Sequence, residues 1–177
     1  SPYQCFSAFA GNPLLVHLPG DGGDFPAHAV DFGRVIAHKQ ALLRRATAAF
    51  SPGDGYRTFV ASHAAWLEDY ALFMAIKQAH GGLSWTDWDA GAARRDPAAL
   101  AAWGGRLADD VEHVRREQYL FFTQFAALKK ACTARGIRLM GDLPIYVAHD
   151  SADVWANRDL FKLDAAGRPA VQAGVPP

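Results

Sequence analysis

The apolar positions along the chain fall into two rhythms, and the change between them marks its organisation. From Asp31 onward, Phe32, Val35, Ile36, Leu42, Leu43, Ala46, Ala49 and Phe50 recur at three- and four-residue steps, which is helical spacing. Ser51-Pro52-Gly53-Asp54-Gly55 ends that run. A second helix is predicted from about Arg57 to His80 on Phe59, Trp66, Leu67, Tyr70, Phe73 and Met74, closed by Gly81-Gly82. Ser84–Ala90 reads as a tryptophan-containing turn. Asp96-Pro97 opens a third helical stretch, an acceptor at the cap followed by proline in the first turn. Its apolar row runs from Leu100 to Leu128, and the helix is expected to break near Gly104-Gly105 and to close at Gly136.

The texture then changes. Residues 137–147, Ile-Arg-Leu-Met-Gly-Asp-Leu-Pro-Ile-Tyr-Val, are short, apolar and β-rich, so a buried strand is predicted after the helix. Ser151–Asn157 suits one helical turn capped by Ser151. Leu160–Leu163, Asp164–Gly167 and Arg168–Gln172 read as a small hairpin. The first 30 residues are punctuated by Pro and Gly and carry one short strand candidate at Leu14–Leu18. Aromatic Tyr3, Phe6 and Phe9 argue for order there.

Composition narrows the function classes. The chain has 177 residues, one domain by length or part of a larger one, with half its residues apolar. Eighteen Lys+Arg balance 18 Asp+Glu, which argues against a nucleic-acid or anionic-membrane partner. No 18-residue uncharged apolar run is present, so no membrane helix is expected. Cys5 and Cys132 lie far apart and are read as free thiols in a reducing, cytoplasmic setting. The start, Ser1-Pro2-Tyr3-Gln4, carries no secretory pattern, and both ends look cut, so a fragment of a longer protein is expected.

Candidate chemistry concentrates after residue 140. Gly141-Asp142 at the end of an apolar strand would place a carboxylate in the crevice where α/β proteins bind ligands. The same Asp would also serve as a loop cap. His149-Asp150-Ser151-Ala152-Asp153-Val154-Trp155-Ala156-Asn157 packs acceptors, a His and a Trp into nine residues. Such a mixture suits sugars, with carboxylates and amides on hydroxyls and an aromatic face on the ring; it equally suits a capped helical turn. His149 and Asp150 lack a third ligand at metal spacing, so no metal is expected. Tyr3 offers an aromatic platform with a polar tip, or simply packs on its loop. Phosphate loops, dinucleotide fingerprints and nucleophile elbows do not occur. Asp109, Asp110 and Glu112, among Arg106, Arg115 and Arg116, read as a solvated, salt-bridged helix face.

Four segments together resemble the amylomaltase family, the bacterial 4-α-glucanotransferases. They are Ser1-Pro-Tyr-Gln with Ser7-Ala-Phe-Ala-Gly-Asn-Pro-Leu-Leu15, then Trp66-Leu-Glu-Asp-Tyr-Ala-Leu-Phe73, then Gly141–Asn157, and finally Ala173-Gly-Val-Pro-Pro177. They occur in order and span the whole chain. The resemblance implies an α/β fold, a partial TIM (β/α)8 barrel with an inserted, mostly helical subdomain. Residues 1–30 would be the loop region after the first barrel strand, 31–135 the helical insertion, and 136–177 the second barrel strand with its substrate-side loop and hairpin.

The implied enzyme passes an α-1,4-glucan segment from a maltooligosaccharide or starch donor to an acceptor 4-hydroxyl. It retains configuration through a covalent intermediate, which needs a nucleophilic Asp and an acid/base Glu about 5 Å apart. The family's Arg-x-Asp-His nucleophile segment is absent from these 177 residues. The resemblance therefore implies positioning roles: Tyr3 near the scissile sugar, Asp142 organising the site without attacking, and Asp150, Ser151, Trp155 and Asn157 lining or supporting a glucan groove. No cofactor is implied. The alternative is a non-catalytic glucan-binding or interaction module, motivated by Trp85, Trp88 and Trp103 taken as exposed. In the intact enzyme, Asp142→Asn is expected to lower kcat strongly while leaving the melting temperature nearly unchanged. Steady-state kinetics beside a thermal melt checks this, and wild-type turnover would refute the organising role.

Overall fold

The computed structural model describes residues 9–20, 22–141, 146–171 and 174. Among them the helices are α1 (Phe32–Ala48), α2 (Asp54–Ala79), α3 (Ala90–Arg94), α4 (Pro97–Arg106), α5 (Ala108–Ala134) and α6 (Ala152–Ala156), with short 3-10 turns at Pro13–Leu15, Trp85–Asp87 and Arg158–Leu160. The cap residues do what their chemistry predicts. The carboxylates of Asp31 and Asp96 accept backbone N–H groups at the starts of α1 and α4, from Arg34 and from Ala98 and Ala99 respectively. Beyond α2, Gly81 and Gly82 take φ of 64° and 84°, and the Gly82 N–H closes on the Lys77 carbonyl at 2.8 Å. The break after α4 comes at Leu107, because Gly104 and Gly105 stay helical.

Contacts group the chain into two compact units. One comprises Ser1–Ala10, Ala65–Val111 and Leu143–Pro177; the other comprises Gly11–Ala64 and Glu112–Asp142.

In the second of these, Val16 and Leu18 bury against Leu42 and Leu43 of α1, with Leu120 and Phe121 of α5 packed alongside. Among the described residues, the segment 11–18 joins no sheet; two glutamines of α5 meet backbone groups of Gly11 and His17 instead. Gln118, fully buried, accepts from the Gly11 N–H at 2.7 Å and donates to the Gly11 carbonyl at 2.9 Å. Gln124 makes the same pair of bonds with His17, at 2.8 and 2.9 Å. Gly11 must be glycine, because a Cβ there would sit 1.9 Å from the Phe121 ring. Phe50, Tyr56 and Phe59 pack edge to face around Tyr119, and the Tyr56 hydroxyl donates to Glu112 at 2.8 Å. Burial, and then that bond to Glu112, push the Tyr56 phenol well above its usual range. Glu112 also holds Arg116 at 3.0 Å, so the helix face expected to be solvated is in part a semi-buried network.

Three expectations change. Leu14–Leu18 is no strand; Asn12 caps a 3-10 turn, with its side chain accepting from the Leu14 N–H. Among the described residues of the expected hairpin over 160–172 there is one antiparallel bridge, Leu163 to Pro169. Residues 137–141 and 146–147 form no strand, and 142–145 lie outside the described residues. A strand needs a neighbour for its N–H and C=O groups, and the described residues supply none. The apolar side chains of 137–141 are consequently bare, with Met140 98% exposed.

The glutamine clamps give the first structural test. Gln118→Ala leaves both backbone groups of Gly11 buried without partners and is expected to cost about 2–4 kcal/mol. Urea unfolding measures this; a loss below about 0.5 kcal/mol would show that the clamp contributes little.

Candidate functional site

The nine-residue motif is assembled in the unit that holds 65–111 and 143–177, and Trp155 is at its centre. Ser151, fully buried, accepts from the Val154 N–H at 3.3 Å and starts α6, which turns Trp155 inward. The Trp155 indole is fully buried against Phe73 and Trp88, and its N–H donates to the Ala92 carbonyl at 3.0 Å. The Arg95 guanidinium covers the ring at 4.2 Å while donating to Asp69 at 2.6 Å. Arg95 caps α3 with φ of 62°, the only non-glycine residue in the left-handed region among those described.

Asp150 is held from two chain segments, α2 and the turn at Trp85. Its Oδ2 pairs with the Lys77 ammonium at 2.5 Å, and its Oδ1 accepts from the Trp85 N–H at 3.4 Å. Lys77 is buried on α2 and also donates to the Leu83 carbonyl at 3.2 Å. Trp85, buried, donates from its indole to the His149 carbonyl at 2.8 Å, and its ring lies against the His149 ring. The His149 Nε2 donates to the Gly167 carbonyl at 2.7 Å. Asn157 is exposed at the end of α6, with its amide donating to the Asp153 carbonyl.

Beside this cluster is an open groove of about 590 Å³, lined by Tyr146, His149, Leu160, Phe161, Lys162 and Val171 among others. It is mostly apolar, with Tyr146, His149 and Lys162 supplying polar side chains at its wall, the usual balance of a ligand cleft. Tyr146 and Leu160 are strongly exposed there.

The predicted site residues thus divide. Asp150, Ser151 and Trp155 are brought together with Lys77, Trp85 and His149. Asn157 closes the same helical turn at the surface. Tyr3 and Asp142 lie outside the described residues. Ser151 and Trp155 are too deep to meet a ligand, so they can act only as supports. Trp85 and Trp88, expected to be exposed, are core residues, and Trp103 is half-buried under Arg106. Lys77 is not among the predicted site residues, although the sequence carries a signal for it: it shares a helical face with Tyr70 and Phe73, and a cation on an apolar stripe needs a buried partner.

A second polar node lies nearby in the same unit. Asp89 caps α3, and its carboxylate takes N–H groups from Ala92 and, at 2.9 Å, from the Trp103 indole. The Ala92 bond first, then the Trp103 bond and the nearby His80, hold the Asp89 carboxyl below its usual range.

The fold of the whole described chain is that of a known group. A structure of amylomaltase from Streptococcus agalactiae, in complex with acarbose, superposes with a TM-score of 0.87 at 33% identity, over 99% of this chain and 39% of that one. The sequence profile of the 4-alpha-glucanotransferase family matches residues 1–177, and the chain belongs to that family. A 4-alpha-glucanotransferase of Thermus thermophilus is 46% identical over all of this chain and 38% of its own length. One from Synechocystis sp. is 43% identical over all of this chain and 39% of its own. The chain spans about two-fifths of the length of the curated relatives it matches.

Asp89 gives a prediction with a definite sign. A carboxyl whose folded value is depressed stabilises the fold above its unfolded value of about 3.9, and that stability is lost as pH falls through the folded value. Asp89→Asn is therefore expected to be less stable than wild type at neutral pH, with the gap closing below about pH 4. Urea melts at a series of pH values check it; a gap independent of pH would contradict the charge effect.

Proposed function

We propose that these residues are the glucan-positioning part of a 4-α-glucanotransferase. That enzyme cleaves an α-1,4 bond in a maltooligosaccharide or starch-derived chain and passes the glucan to a sugar 4-hydroxyl, with retention. The observation that carries this reading is family membership across all 177 residues, joined to the built cluster around Asp150 and Trp155 beside an open groove. Retaining transfer needs a carboxylate nucleophile and a carboxyl acid/base about 5 Å apart, with no metal or cofactor. Both carboxyls would come from parts of the enzyme that resemble the family beyond this chain, since no Arg-x-Asp-His segment is present in it.

In this reading 1–30 and 136–177 belong to a TIM barrel, and 31–135 is its helical insertion. Residues 137–147 become a barrel strand once flanked by neighbours, which would cover the bare Ile137, Leu139 and Met140. Tyr3 stands near the scissile sugar and Asp142 organises the reacting groups. Asp150, Ser151 and Trp155 hold the groove wall, and Asn157, at the surface, is the one of the four free to meet a sugar hydroxyl. The enzyme works in the cytoplasm on soluble glucans. Positioning of this kind contributes by restricting the approach of donor and acceptor.

The alternative of a non-catalytic glucan-binding module loses its motive, because Trp85 and Trp88 are buried rather than presented to solvent. The test is product analysis with maltotriose. The intact protein containing this chain is expected to release glucose together with longer oligomers, and residues 1–177 alone to release neither. Hydrolysis without elongation by the intact protein would overturn transfer. Saturable maltoheptaose binding without any turnover would favour the binding module.

A further inference from the structure

We propose that Lys77 is a positioning residue for glucan transfer, acting through Asp150 on the groove wall at His149; this rests on the transferase reading above. Lys77 lies 73 positions from Asp150 in sequence, yet its ammonium is 2.5 Å from the carboxylate. Only 8% of its side chain is exposed, against 29% for Asp150. A buried ammonium is tolerated only when its charge and its N–H groups are met. Here the Asp150 carboxylate, the Leu83 carbonyl and the face of Phe73, at 5.9 Å, meet them.

Those partners belong to separate segments. Lys77 is in the last turn of α2, Leu83 follows the Gly81-Gly82 reversal, and Asp150 precedes the cap of α6. The Trp85 backbone N–H and indole N–H then grip Asp150 and the His149 carbonyl. One cation thus fixes the backbone at 149–150, and with it the His149 ring that lines the groove. A salt bridge serving stability alone could be replaced by apolar residues of similar volume. A positioning role is different: the pose of 149–150 depends on the charge pair, and a displacement of about 1 Å near reacting groups can cost about 10²-fold in rate.

The experiment uses the intact protein and three variants, Lys77→Met, Asp150→Asn and the double variant. Each is followed by urea melts and by maltotriose disproportionation. Both single variants are expected to lose stability, Asp150→Asn more so because it strands the more deeply buried charge. The double variant should recover most of that loss, since no charge is left unpaired. Its kcat should nevertheless stay about 10²-fold down, with KM changed much less. Recovery of kcat together with stability in the double variant would overturn the positioning role and leave only packing. Wild-type kcat in folded Lys77→Met would overturn it too. If wild type itself transfers no glucan, the transferase reading fails and the positioning role with it. Non-additive melts would then still identify the ion pair, so the two failures can be told apart.

Discussion

A cation taken out of water dictates how one unit of this protein is put together. The Lys77 ammonium is buried, so a carboxylate has to come to it, and the carboxylate that comes is Asp150. Everything near it follows from that meeting. Asp150 brings His149 against Trp85 and Ser151 to the start of α6, and α6 delivers Trp155 into the space between Phe73, Trp88 and Arg95. The tryptophans fill volume; the ion pair decides which parts of the chain share it.

The other unit solves a related problem without charge. A segment with little regular structure, 11–18, has to cross a helical surface, and its backbone polar groups have no ladder to join. Gln118 and Gln124, six residues apart on α5, each present an amide that mimics a strand's donor and acceptor. Glutamine is suited to this because its carbonyl and amide lie side by side and are neutral, so they can be buried at Gly11 without a counter-ion.

What could be read from the residues was what is local. Asp31, Asp96 and Ser151 cap helices because a short oxygen-bearing side chain reaches N–H groups two or three positions on, and Gly81-Gly82 ends α2 because a reversal there needs positive φ. The motif 149–157 was recognisable as a unit for the same reason. The joining of Lys77 to Asp150 was not, since no spacing rule links residues 73 apart. Nor was the depth of Trp85 and Trp88, which sit in a polar, turn-like stretch and are buried by Phe73, His149 and Trp155 from elsewhere in the chain. The strand at 137–147 was read from composition, but pairing is a property of two segments, and the described residues contain one. Tyr3 and Asp142 lie outside the described residues.

The packing of Trp88 on Trp155 has an optical consequence. Their ring centroids are 5.9 Å apart and the planes are inclined at 66°. Two indoles held that close and that far from parallel couple their transition dipoles, so the unit should carry an exciton couplet in its circular dichroism. That couplet arises only when α6 is docked against the residues around Trp88, and it vanishes if either ring turns away. The protein thus contains its own chromophore pair for following the docking of the 149–157 motif, with no label attached.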